Sequence, residues 1–285
     1  MNRINPSKPW KNTNTSGETQ YPDLQELKDS CDAHHQDSER GTVASDAADD
    51  FSLWSNPPQP RSFFLPLHYT PSYRYPVIIW FHHSGFNEHQ IDQIMPHLSL
   101  RNYIGIGVRG NQASDSAGHR FTWHDSPAAI DATQEAVADA IADAKTRFSI
   151  DLSRLIFAGY QTGGTMAQRL ALRAPKQVAG VISMGGLMPT GGFGLFDELR
   201  ERKLPMLWQW SSQNPLYNQE NIGSDCKLAM SISADVEIRQ YVNEDEMNTV
   251  TLKDANDWIM RKIISGSAIT DSDQWSSNVV EYSDN

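Results

Sequence analysis

Leu155-Ile156-Phe157-Ala158-Gly159-Tyr160-Gln161-Thr162-Gly163-Gly164-Thr165-Met166-Ala167 decides how this chain folds. Leu155 to Ala158 form a short uninterrupted apolar run, the pattern of a strand buried on both faces of a parallel sheet. Gly159, Gly163 and Gly164 bracket a tight turn. Met166, Ala167, Leu170, Ala171 and Ala174 then recur at helical spacing until Pro175 stops the helix. Strand, glycine turn and helix in that order predict one repeat of an α/β sheet.

Working outward, the same alternation continues on both sides. Upstream, Phe63 to Tyr69 reads as an edge strand, because Pro66 cannot donate to a central ladder. Val77-Ile78-Ile79-Trp80-Phe81 is a central strand, Glu88 to Leu100 a helix and Tyr103 to Val108 the next strand. Pro127 to Phe148 carries Ile130, Val137, Ile141, Ala144 and Phe148 at helical spacing, with Ser126 as its cap. Downstream, Val178 to Met184, Pro205 to Trp210 and Val236 to Tyr241 are strands. Helices are expected from Tyr217 to about Ser233 and around Leu252, Ala255, Ile259 and Ile263.

The frame Gly159-Tyr160-Gln161-Thr162-Gly163 resembles the nucleophile elbow, G-x-S-x-G, of the α/β-hydrolases. His82-His83-Ser84-Gly85-Phe86-Asn87-Glu88 is similar to the H-G-x-G-G-N-E loop of their phospholipase/carboxylesterase branch. Ser211-Ser212-Gln213-Asn214-Pro215 and Val242-Asn243-Glu244-Asp245-Glu246-Met247 match that branch's H-G-x-x-D-P and P-G-x-H-E-I loops. The resemblance covers roughly Phe63 to Ile264. It implies an α/β-hydrolase fold, a mostly parallel central sheet with helices on both faces. It also implies that Gln161, Asn214 and Asp245 occupy the positions of nucleophile, acid and base. Ser84 and Thr162 would then carry the oxyanion-hole N–H groups, and His82, His83 and Phe86 would line the pocket.

Each of the three triad positions is substituted relative to that pattern. A carboxamide at Gln161 cannot become a nucleophile, whatever base lies nearby. Asn214 keeps the shape of an aspartate without the charge that stabilises an imidazolium, and Asp245 cannot shuttle a proton as histidine does. In this fold the histidine follows the nucleophile along the chain, yet all nine histidines lie at or before His124. The reading is therefore a carboxylesterase/phospholipase-like homologue with a degenerate triad, binding a small apolar or ester-like ligand or a protein partner. The alternative is an active ester hydrolase with a rearranged site. His119, Trp123 and His124, in the polar loop from Asn111 to Asp125, belong either to a solvated loop or to ligand contacts.

Composition bounds the rest. A chain of 285 residues suits one α/β domain plus extensions. Residues 1–60, polar and poor in aliphatics, and the acidic tail 265–285 are expected to be disordered, leaving 61–264 as the domain. A net charge of −11 argues against nucleic acid and anionic membranes as partners. No apolar run is long enough for a membrane span, and the N-terminus has no apolar h-region, so no signal peptide is expected. Cys31 and Cys226 form no motif, which fits a reducing cytoplasm. No metal or cofactor is expected. His34-His35 lacks further ligands at zinc spacing, and Gly191-Gly192-Phe193-Gly194 lacks the lysine of a phosphate loop.

Overall fold

A computed structural model of the chain describes residues 59–191, 195–214, 219–242 and 246–266. The apolar runs form a seven-stranded sheet. Along the chain come β1 (Arg61–Phe64), β2 (Tyr75–Phe81), α1 (Gln90–Leu98), β3 (Ile104–Val108), β4 (Gln112–Ala113), β5 (Phe121–Thr122), α2 (Pro127–Arg147) and β6 (Ile150–Tyr160). They are followed by α3 (Thr162–Arg173), β7 (Gly180–Met184), α4 (Phe196–Arg202), β8 (Pro205–Ser211), α5 (Gln219–Ser231), β9 (Asp235–Tyr241) and α6 (Thr249–Trp258). A π-helical turn, Ile259–Ile264, extends α6.

The sheet order is β1-β3-β2-β6-β7-β8-β9, with β4 and β5 forming a separate ribbon. Only β1 in the large sheet runs antiparallel, against β3. Strand β2 is followed on one side by β3, and the chain then returns to its other side as β6. The progression thus reverses between β2 and β6, the crevice where open α/β sheets bind ligands. The carboxyl ends of these two strands lead into His82 and Gln161.

Alternation along the strands builds a core on each face. Val77, Ile79, Phe81, Phe157, Val181 and Met206 pack with α2, α3, α4 and α5 on one face. Ile78, Trp80, Ile156, Ala158, Ile182 and Leu207 pack with α1, α6 and the π-helical turn on the other. Trp80, Trp208 and Trp258 are among the largest fully buried side chains. At about 25 cal/mol per Å² of apolar surface removed from water, burying both strand faces supplies most of the drive to fold. Ser126 caps α2 by accepting from the Ala129 N–H, with Pro127 in the first turn, as its sequence predicts.

Several boundaries differ from the sequence reading for identifiable reasons. Strand β1 stops at Phe64, two residues before Pro66, and the Leu67 N–H bonds the Leu100 carbonyl instead. Helix α1 contains Pro96 and ends at Leu98. Strand β6 starts at Ile150, five residues before the apolar run. Its register against β2 jumps from Asp151 to Leu155, and Arg154 closes on Asp151 at 2.7 Å across the irregularity. The loop from Asn111 to Asp125 contains the β4–β5 ribbon, and α4 was not legible. No helix among the described residues is long and apolar enough to cross a membrane.

Candidate functional site

Gln161 sits between β6 and α3 with φ 49° and ψ −117°. Positive φ is costly for a residue with a side chain, so the surroundings must enforce it. A Cβ on Gly163 would lie 2.1 Å from the Phe81 carbonyl oxygen, and one on Gly186 would lie 2.4 Å from the Gln161 carbonyl oxygen. Strand end, helix start and the turn after β7 therefore touch backbone to backbone. The Gln161 N–H donates to the Met184 carbonyl at 2.7 Å, and the Thr165 N–H donates to the Gln161 carbonyl at 3.1 Å. The half-buried side chain turns to Tyr160, where Nε2 donates to the phenol oxygen at 3.1 Å. Thr162 is the exposed first residue of α3, at the end of the helix where N–H groups have no intrahelical partner.

The loop after β2 runs beside this elbow. His82 is fully buried, with Nδ1 2.8 Å from the His83 carbonyl oxygen. The Gly110 N–H donates to its Nε2 at 2.9 Å. A carbonyl only accepts and an amide N–H only donates, so the ring proton is on Nδ1 and both nitrogens are engaged. Burial pushes the His82 pKa down to about 4. Trp123 packs 5.0 Å from the His82 ring, and its indole N–H donates to the His82 carbonyl. His82 thus ties β2 to the strand after it and to the β5 end, as a neutral structural group.

His83 is half-buried. Trp80 donates to Gln90 Oε1 at 2.9 Å, which orients the amide so that Nε2 donates to His83 Nδ1 at 2.8 Å. The His83 ring lies 4.4 Å from Phe86 and 5.2 Å from Tyr160, the residue that receives the Gln161 amide. Ser84 is exposed at the apex of the loop. Gly85, at φ 86°, and Phe86 pin it to the ribbon through bonds with Phe121. Glu88, 2% exposed, is gripped by Arg109 through Nε and Nη2. Burial opposes its charge, but the guanidinium outweighs that and holds the carboxyl below its ordinary range.

Asn214 and Glu246 meet on the far side of β7. The Asn214 Nδ2 donates to Glu246 Oε1 at 2.6 Å, and the Ser211 N–H donates to the same oxygen at 2.9 Å. Glu246 is 1% exposed, and its carboxylate lies against Gly185, where an added Cβ would come within 2.9 Å. Gly186, the next residue, touches Gln161. The Gly185-Gly186 pair thus separates the elbow from the Asn214–Glu246 contact. Asp245 lies outside the described residues. Glu246 is the residue that sequence reasoning passed over, although it is the glutamate of the matched P-G-x-H-E-I loop. Of the polar-loop residues, His119 and His124 are exposed while Trp123 is buried. A cleft of ≈ 220 Å³ opens beside Arg109, Asn111, Phe121 and Thr133, and Gln161 does not line it. Among the described residues, no cluster of three His, Cys, Asp or Glu could hold a metal ion.

A mostly parallel sheet, helices on both faces and a strained turn at the carboxyl end of a central strand define the α/β-hydrolase fold. Comparison with known proteins agrees. The carboxylesterase of Bacillus cereus superposes with a TM-score of 0.56 at 14% identity, covering 70% of this chain and 93% of that one. A carboxylesterase from Mesorhizobium loti gives 0.52 at 16% identity, covering 65% and 88%. In sequence, the chain is 26% identical over 132 residues to lysophospholipase-like protein 1 of Mus musculus. That match takes in 45% of this chain and 54% of the relative, so the chain spans about half the length of that curated protein. No family model matches.

Proposed function

We propose that this chain is a carboxylesterase/phospholipase-like α/β-hydrolase homologue that does not cleave esters through an acyl-enzyme. It acts instead by binding a protein partner or a small ester-like ligand. One observation carries the reading: the elbow presents a carboxamide, Gln161, in the backbone geometry that suits a nucleophile, and its amide is turned to Tyr160. The histidines add support. His82 is neutral with both nitrogens engaged, His83 accepts from Gln90, and no histidine follows residue 124. The ring contacts of His83 with Phe86 and, edge-on, with Tyr160 crowd the neighbourhood of Gln161, which favours a protein partner over a small ligand. Cys226, a free thiol whose pKa burial raises, is in keeping with a reducing cytoplasm as the compartment.

An active hydrolase with a rearranged site is the second reading. The intact elbow backbone favours it, since Ser84 and Thr162 could still offer N–H groups to an oxyanion. Nitrophenyl esters beside a serine-reactive phosphonate separate the two. The wild-type chain should give no burst and no stoichiometric label. Gln161→Ser alone should stay inactive for want of a base, while Gln161→Ser with Asn214→Asp and Asp245→His should recover turnover far beyond additive expectation. A burst from the wild type would establish the second reading.

A further inference from the structure

We propose that the outer edge of β9 is a self-complementary surface that pairs antiparallel with β9 of a second copy of this chain, centred on Ile238. Strand β9 ends the sheet, so among the described residues its outer edge has no strand beside it. Which residues face outward follows from two bonds. The Asp235 N–H donates inward to the Leu204 carbonyl at 3.1 Å, and the Tyr241 carbonyl accepts from the Ser212 N–H at 2.8 Å. Peptide groups alternate along a strand. Residues 235, 237, 239 and 241 therefore turn their backbone groups toward β8, and Val236, Ile238 and Gln240 turn theirs outward.

That parity allows a two-fold on any residue of β9, and the axis at Ile238 is the one that pairs the whole strand. Two β9 strands related by a two-fold axis at Ile238 let the two Ile238 residues exchange both backbone bonds. Val236 does the same with Gln240 of the second copy. All seven residues of β9 then lie opposite a partner. Ile238, 41% exposed, would be covered by its own counterpart.

The charges fit the same axis. Glu237 falls opposite Arg239 of the second copy, twice by symmetry, in the non-hydrogen-bonded position where Cα atoms approach to about 4.5 Å. Within one copy these residues already share a face. Arg239 Nε and Nη2 bind Glu237 Oε1 at 2.9 and 2.7 Å, Arg261 Nη2 reaches Glu237, and Arg239 Nη1 lies 3.7 Å from Asp254. The side chains are thus held in place before any association, which lowers the ordering cost. Charged residues on an edge strand ordinarily discourage pairing. Here their order specifies it. A two-fold axis on residue 237 or 239 would oppose glutamate to glutamate or arginine to arginine, and would leave two of the seven residues of β9 without a partner.

The full chain in sedimentation velocity, with amide hydrogen exchange, tests this. The wild type should form dimers, with exchange at Val236, Ile238 and Gln240 slowed as dimer accumulates. Glu237→Lys and Arg239→Glu each place like charges across the axis and should each raise the dimer Kd about tenfold. An equimolar mixture of the two variants makes every crossing complementary and should associate more tightly than either alone. Ile238→Pro removes an outward N–H that β8 does not use, so it should abolish the dimer and leave the fold's circular dichroism intact. Should a charge variant fail to fold, Ile238→Pro and the exchange pattern decide alone. A wild type monomeric up to about 1 mM would overturn the proposal. So would a dimer insensitive to Ile238→Pro, or a mixture no tighter than its parents.

Discussion

Buried polar groups near the elbow are each matched to one protonation state, and His82 shows what that matching costs. Its imidazole is neutral in the fold, with the pKa lowered from 6.5 to about 4 chiefly by burial. The unfolded chain takes up a proton near pH 6.5 that the folded chain refuses until about pH 4. The stability that depends on neutral His82 is therefore fully present above pH 6.5 and is lost as the pH falls through 4, about 3 kcal/mol in all. The lowered carboxylates, Glu88 and Glu237 among them, titrate below their ordinary range and cost stability only at lower pH. Urea unfolding between pH 7.5 and 4.5 should thus show stability falling by up to about 1.4 kcal/mol per pH unit below 6.5. His82→Gln should flatten that slope while lowering stability at pH 7.5, because it disturbs the bonds to His83 and Gly110. An unchanged slope in the variant would assign the acid sensitivity to other groups.

At the scale of elements, glycines separate what packing demands from what the helix merely tolerates. Gly163 has no room for a methyl group between α3 and the Phe81 carbonyl, whereas Gly223 on α5 has nothing within 4 Å of its would-be Cβ. Gly163→Ala should cost more than about 3 kcal/mol or leave the protein insoluble, because backbone cannot yield as a side chain does. Gly223→Ala should gain about 0.5–1 kcal/mol from helix propensity alone, read by the same urea titration. This contrast also explains what was legible in the chain. The elbow was readable because each of its glycines answers a backbone contact, and α2 because cap, proline and periodicity agree. Helix α4 and the β4–β5 ribbon were not, since Phe196–Arg202 buries only Leu199 fully and each ribbon strand has two residues. Nothing local marked the irregularity that lengthens β6, because the polar Asp151, Ser153 and Arg154 interrupt the apolar pattern before Leu155. Among the site residues, Gln161 was found at its turn. Glu246 was not legible, because its carboxylate meets Asn214, 32 residues away in sequence, only once the chain folds.

At the scale of the molecule, charge is distributed unevenly along the chain. The 58 residues before Gln59 carry ten acidic and five basic side chains, and the 19 after Gly266 carry four acidic and none basic. Nine of the eleven net negative charges therefore lie outside residues 59–266. Among the described residues, the two faces of the sheet are covered by α1 to α6 and the π-helical turn. We expect a chain trimmed to 59–266 to fold and to unfold cooperatively, with a Tm within about 4 °C of the full chain, since no described core contact is removed. It should also be less soluble, because a net charge close to zero no longer keeps copies apart. If the β9 edge pairs as proposed, trimming should tighten the dimer at low salt, and added salt should shrink the difference between trimmed and full chains by screening the charge of the removed segments. Calorimetry and sedimentation at two ionic strengths read both effects. A trimmed chain that is unfolded, or one whose Tm drops by more than about 10 °C, would show that the domain needs its extensions.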